Sequence, residues 1–227
     1  MTYNFDFSFL SQYWPDLLRG MWLTLRMTML SIIPGFVVGT LCALGRIYGR
    51  PWLVRSVGAY IEVIRNTPLV IQVFWLFFGL SALHLPIPAL AAAVIALAIN
   101  VSAYAAEIMR AGFEAIPTGQ LEAASCLALT KRQTIWYVEL PQAVERVYPA
   151  LVSQFILMML ATSIMSQISA DELTGVADVI QSFTYRGFEA YLVVAVIYLV
   201  LVSALRLFLL GGASILFPRL RVMNHQR

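Results

Sequence analysis

The 227-residue sequence is 60% hydrophobic and only 12% charged, with a mean hydropathy of +0.80. A water-soluble domain carries about 25% charged residues; half that share cannot cover a water-facing surface, so the composition points to an integral membrane protein and excludes a soluble enzyme. The net charge of +3 arises from residues at the ends of apolar runs rather than from a basic patch, which argues against a nucleic-acid partner.

A bilayer core takes about 20 helical residues. The first uncharged apolar run, 27–45, is bounded by Arg26 and Arg46. Runs at 66–83, 87–106, 149–168 and 190–210 follow, the last broken only by Arg206, whose long side chain can reach an interface. The expected fold is therefore all-α, one transmembrane domain over 1–227 with five spans at these positions. Pro34 and Pro68 are expected to kink helices or to mark their ends. Asp6, Trp14 and Asp16 precede the first run where a cleavable signal has a short basic region, so that run is read as an uncleaved anchor.

The basic residues set an orientation. Arg46, Arg50 and Arg55 follow the first run; Arg110, Lys131, Arg132 and Arg146 lie between the third and fourth; Arg219, Arg221 and Arg227 lie in the tail. The other connections are poor in positive charge: Arg186 stands among Asp171, Glu172, Asp178 and Glu189. The positive-inside rule places the N-terminus outside and the tail and the 110–146 loop in the cytoplasm. An odd number of spans demands opposite ends, so parity agrees.

That loop carries Glu122-Ala123-Ala124, then Ala128, then Val138-Glu139-Leu140-Pro141. The spacing resembles the EAA loop in the membrane-spanning permease subunits of bacterial ATP-driven (ABC) importers. Two further stretches are similar to the polar-amino-acid branch of that family. One runs from Glu62 through Arg65-Asn66-Thr67-Pro68 to Gln72; the other, 171–191, holds Glu172-Leu173-Thr174 and Tyr185-Arg186-Gly187-Phe188-Glu189. The likeness runs from about residue 20 to 208.

The resemblance implies a type I ABC importer permease fold, five transmembrane helices with a cytoplasmic helical coupling loop, in the bacterial inner membrane. It implies a second permease, identical or homologous, two ATP-binding cassette subunits, and an extracytoplasmic solute-binding protein. ATP and Mg would be bound by the partner ATPase and no cofactor by this chain, which would not itself be an enzyme. Gly119, Glu122, Ala123, Ala124, Ala128, Leu140 and Pro141 would form the ATPase-coupling element. The family usually has Gly at the position of Ala128 and Ile at that of Val138. A left-handed backbone at Ala128 costs about 1 kcal/mol that Gly avoids.

Other residues carry two readings each. Glu62, Arg65, Glu107 and Arg110 either fix helix ends at the interface or contribute ion pairs to a gate. Gln154, Met158, Thr162 and Ser166 recur at i, i+4 spacing on one helical face. Each hydroxyl there could simply bond its own backbone. The whole stripe, with Ser163 beside it and Gln72, Asn100 and Ser102 on neighbouring spans, favours a lining of the solute path. Many relatives carry Lys-Asp where Leu160-Ala161 stand, so a carboxylate able to grip a cationic side chain is missing and a neutral polar amino acid is expected.

No phosphate-binding Gly-x4-Gly-Lys-Ser/Thr loop is present, and the one lysine, Lys131, follows Thr130. Cys42, Cys126, His84 and His225 are too dispersed for a metal site, and Leu41 before Cys42 does not suit lipid attachment. The competing reading is a stand-alone secondary transporter or channel that needs no ATPase. Many such transporters show an internal repeat, and none is visible here.

Overall fold

A computed structural model describes residues 4–216, with Arg219, Arg221, His225 and Arg227 outside that range. The regular elements among the described residues are all helices: α1 (Leu10–Tyr48), α2 (Pro51–Arg65), α3 (Leu69–Ala82), α4 (Ala89–Glu114), α5 (Thr118–Cys126), α6 (Lys131–Ile168), α7 (Leu173–Thr184) and α8 (Gly187–Leu216). Two of them change pitch. A π turn occupies Trp75–Gly79 in α3; α6 contains another at Thr134–Glu139 and tightens to a 3-10 helix over Thr162–Ile168.

Helices α1, α4, α6 and α8 are each long and apolar enough to cross a membrane. The expected span at 66–83 differs. Helices α2 and α3 pass the same test only as a pair, bent by 105° between them. Pro68 is the cause: it lacks an N–H donor and drives the residue before it out of the helical region. Helix α3 alone extends only about 21 Å, short of the roughly 30 Å hydrocarbon layer. Helix α1 departs in the other direction. It runs for 39 residues, beginning well before the apolar run, and carries Asp16 and Arg19 paired at 3.3 Å on its exposed face.

The tightest packing joins α1 to α4. A Cβ at Gly39 would fall 2.7 Å from both the Ala105 Cβ and the Ser102 carbonyl oxygen; at Gly35 it would fall 2.7 Å from the Val101 side chain. Small residues at such spacing let two membrane helices approach closely enough for dispersion to act without a hydrophobic driving force. Polar residues in this layer are satisfied locally. Ser31 donates to Met27 O at 2.7 Å and lies 3.3 Å from Val94 O on α4, and Thr28 donates to Thr24 O at 2.7 Å.

Helix α7 packs across α1 and α8. Glu172 caps it by accepting the Gly175 N–H at 2.9 Å and the Tyr198 hydroxyl at 2.8 Å. Burial pushes its carboxyl above the ordinary range, against the lowering effect of these donors. The Leu173 N–H reaches Thr24 Oγ1 at 3.2 Å, which ties α7 to α1. The buried face of α8, with Val194, Leu201 and Leu205, joins Met159 and Ile180, while Leu199, Val200, Leu207 and Phe208 point away from the protein. In a membrane protein that outward face suits lipid.

Gly39→Leu is expected to lower the stability of the detergent-solubilised permease by about 3 kcal/mol, since the side chain collides with backbone that cannot yield. Gly119→Ala, where a Cβ meets nothing within 4 Å, is expected not to lower it. Thermal unfolding midpoints of the two variants provide the comparison.

Candidate functional site: a helical loop and a polar cavity

Helix α5 begins after Pro117, which sets its first turn. Leu121 packs into a cluster with Met109, Phe113 and Ile116, and Ala124 is 3% exposed. Glu122 and Ala123 point outward on the opposite side. The small residue is therefore buried within the chain, whereas the carboxylate and its neighbour are presented. Gly119 is also exposed and nothing around it demands glycine.

Helix α5 stops at a left-handed residue, Ala128, with φ of 52°. The Ala128 N–H donates to Ser125 O at 2.9 Å and the Leu129 N–H to Ala124 O at 3.1 Å, the paired bonds of a Schellman ending. This is a position where glycine has a physical advantage. Thr130 then opens α6 through a reciprocal cap: its N–H donates to Gln133 Oε1 at 2.9 Å and its hydroxyl accepts the Gln133 N–H at 3.4 Å. Leu140 is partly buried against the Ala143 and Met109 cluster. Pro141 falls in the first turn after the π turn, where a missing N–H is tolerated.

The charged span ends do not act alike. Glu107 accepts Arg46 Nη1 at 2.5 Å and Arg110 Nη2 at 2.8 Å, and Arg110 Nη1 reaches Glu114 at 2.6 Å. This chain of four residues fastens α1 to α4. Glu62 stands exposed outside it, and the Arg65 guanidinium lies 5.3 Å from the centre of the Tyr104 ring. Glu114 follows Arg110 by one turn of the same helix, whereas Arg46 joins these residues only because the fold brings the end of α1 beside α4.

Arg65 borders a cavity of about 500 Å³ at the bend between α2 and α3. Thr67, Asn100, Tyr104, Gln154 and Ala161 also line it. Gln154 is 7% exposed, yet its amide makes no hydrogen bond to another described residue and faces the cavity. Asn100, 4% exposed, donates to Gln72 Oε1 at 3.3 Å. Gln72 itself serves the bend rather than the cavity wall: its amide donates to Ile64 O at 2.8 Å and to Thr67 O at 3.1 Å.

The expected stripe on the fourth span divides. Gln154 and Met158 line this cavity, but beyond Ala161 the helix tightens to about three residues per turn, so i, i+4 spacing no longer marks one face. Thr162 is fully buried and donates to Met159 O at 2.7 Å. Ser163 donates to Leu160 O at 2.7 Å and lines a separate cavity beside Tyr198, while Ser166 donates to Ser163 O at 3.1 Å. Ser102 is likewise committed elsewhere, 2.5 Å from the Tyr60 hydroxyl. The 3-10 turn rotates Ser166 off the face that Gln154 and Met158 share, while Thr162, at the start of that turn, is buried against a backbone carbonyl of its own helix.

Residues 35–222 match the family described as the binding-protein-dependent transport system inner membrane component. The chain belongs to this family. It is 37% identical over 205 residues to the glutamine transport system permease protein GlnP of Escherichia coli strain K12, covering 89% of this chain and 93% of that protein. It is 36% identical over 216 residues to the octopine transport system permease protein OccM of Rhizobium meliloti, covering 91% and 88% respectively. The crystal structure of an amino acid ABC transporter with histidines superposes with a TM-score of 0.85 at 40% identity, over 93% of this chain and 99% of that one. The inward-facing MetNI methionine ABC transporter shares the fold, with a TM-score of 0.77 at 24% identity, over 90% and 98%. The chain is thus a permease of the polar-amino-acid ABC importer type, with the type I permease fold.

Ala128→Gly is expected to stabilise the end of α5 by about 1 kcal/mol, because glycine takes the left-handed backbone without the Cβ penalty. Slower limited proteolysis within 118–130 would register it.

Proposed function

We propose that this permease carries a polar, zwitterionic amino acid or close relative across the cytoplasmic membrane by alternating access. A separate pair of ATP-binding cassette subunits, holding ATP and Mg, drives it through contacts with α5. A second permease, identical or homologous, completes the path, and an extracytoplasmic solute-binding protein delivers the solute. The arrangement of α5 supports the ATPase contact: Glu122 and Ala123 face outward from a helix anchored by Leu121 and Ala124, and an exposed carboxylate can form charge-assisted bonds across a docked surface.

The observation that carries the solute reading is the Gln154 amide, buried within the protein and turned to a cavity without a partner of its own. A neutral amide can donate to a solute carboxylate or accept from its ammonium. Arg65 is the one charged residue among the described lining, and Ala161 contributes no carboxylate to it. A cationic side chain would meet a like charge and no counter-ion, whereas a zwitterion can offer its carboxylate to Arg65.

In proteoliposomes holding the permease, its ATPase and its binding protein, neutral polar amino acids should be taken up in preference to arginine and lysine. Gln154→Leu should lower uptake about tenfold, the loss of one hydrogen bond to the solute, while the ATPase stays attached. Preferential uptake of arginine or lysine by a homodimer would contradict the cavity argument.

The proposed orientation puts α5 in the cytoplasm and α7 outside. Cys126 is exposed on α5 and offers a natural reporter. With Cys42 replaced, an impermeant thiol reagent should label Cys126 in inverted vesicles and not in intact cells, and Asp178→Cys should show the reverse. Labelling of Cys126 in intact cells would invert the orientation.

A further inference from the structure

The last residue of α1 is held from two sides by the segment that follows α5. The Tyr48 phenol donates to the Glu139 carboxylate, and the Lys131 ammonium sits 4.6 Å from the centre of the same ring. Glu139 is only 5% exposed. Tyr48 is its one side-chain hydrogen-bond partner among the described residues, and no arginine or lysine there forms an ion pair with it. Glu107, by contrast, lies between two arginines.

A buried carboxylate with a single donor makes separation costly, because losing the phenol leaves a desolvated charge with nothing to bond. The contact therefore couples the end of α1 to the start of α6. On the α6 side, Lys131 and Glu139 bracket the π turn Thr134–Glu139, and Thr130 with Gln133 fixes the entry to it. That entry follows the Ala128 ending of α5 directly. On the α1 side, the helix packs along α4 through Gly35 and Gly39, and α4 supplies Asn100 and Tyr104 to the cavity.

From these contacts we propose that Tyr48, gripped by Glu139 and Lys131, is a positioning residue that transmits displacement of α5 to α1 and, through α4, to the solute cavity. The proposal rests on the reading of α5 as the ATPase contact. Movement of α5 carries the start of α6 with it, and the Tyr48 joint obliges α1 to follow. Without the joint the start of α6 can move while α1 stays, so ATP is hydrolysed with little solute carried.

Uptake and ATP hydrolysis measured together in proteoliposomes of the full complex test this. Tyr48→Phe keeps the ring beneath Lys131 and removes only the hydroxyl. It should leave the ATPase attached and hydrolysis running, while solute imported per ATP falls by roughly fivefold or more. Glu139→Gln retains a carbonyl acceptor and should reduce the ratio less. The double variant leaves no buried charge behind, so it keeps the test open if Tyr48→Phe alone folds poorly; its ratio should match that of Tyr48→Phe, one contact being lost once. An unchanged ratio in the double variant overturns the proposal, even if its unfolding midpoint drops, since that pattern belongs to packing alone. Ala123→Trp, on the presented side of α5, examines the premise separately. If the ATPase remains attached and coupled in that variant, the reading of α5 falls, whatever the Tyr48 variants do.

Discussion

The close approach of α1 to α4 is the constraint on which the other parts depend. At Gly35 and Gly39 no side chain larger than hydrogen fits against Val101, Ser102 and Ala105. That proximity brings Arg46 within reach of Glu107 and fixes the height at which Asn100 meets the bend between α2 and α3. Apolar burial contributes little to helix association in a bilayer, because lipid tails compete equally for Leu and Val. Shape at two glycines, together with a few hydrogen bonds such as Ser31 to α4, must supply the specificity instead. A wider spacing would break the ion chain at one end and empty the cavity wall at the other.

The bend is the second constraint, and it shows how the irregular backbone between two helices is satisfied. Ending α2 at Arg65 and restarting at Leu69 leaves carbonyl groups without helical partners. Gln72 folds back to satisfy Ile64 and Thr67 and then accepts from Asn100 on α4. The cavity lies beside this bend, as expected if non-helical backbone is tolerated only where it is buried in protein or lines a cavity. Gln72 thereby shapes the cavity indirectly, by holding in place the turn that carries Arg65 and Thr67.

Much of this architecture was legible in the sequence, for physical reasons specific to each element. Long apolar runs mark α4 and α8 directly, because the bilayer demands both apolarity and length. The family position at Ala128 was readable as a left-handed turn, since a glycine preference has a conformational cause, and the backbone there is left-handed. The stripe on α6 was legible only as far as the helix kept its pitch. Gln154 lines the cavity, whereas Ser166 lies beyond the point where the backbone tightens and Thr162 and Ser163 bond their own backbone. Periodicity cannot report a change of pitch that depends on tertiary packing. Glu139 was quoted as part of a motif but not as a buried group, because its partner, Tyr48, lies 91 positions away.

The distribution of charge finally bears on how such a chain can be driven. Glu107 and Arg110 are paired at the end of α4, and Arg65 with its Tyr104 ring borders the cavity. The sequence has no phosphate-binding loop, and under the proposed drive by a separate ATPase the energy would reach this chain as displacement. Displacement is transmitted only through elements that resist deformation. The Schellman ending of α5, the reciprocal cap at Thr130 and the grip on Tyr48 form an unbroken series of such elements, each satisfied by short-range bonds that a shear would have to break. A flexible linker in place of any one would absorb the motion. Under the proposed coupling the cavity would be emptied and refilled by a movement imposed far from it, provided these bonds outlast each cycle.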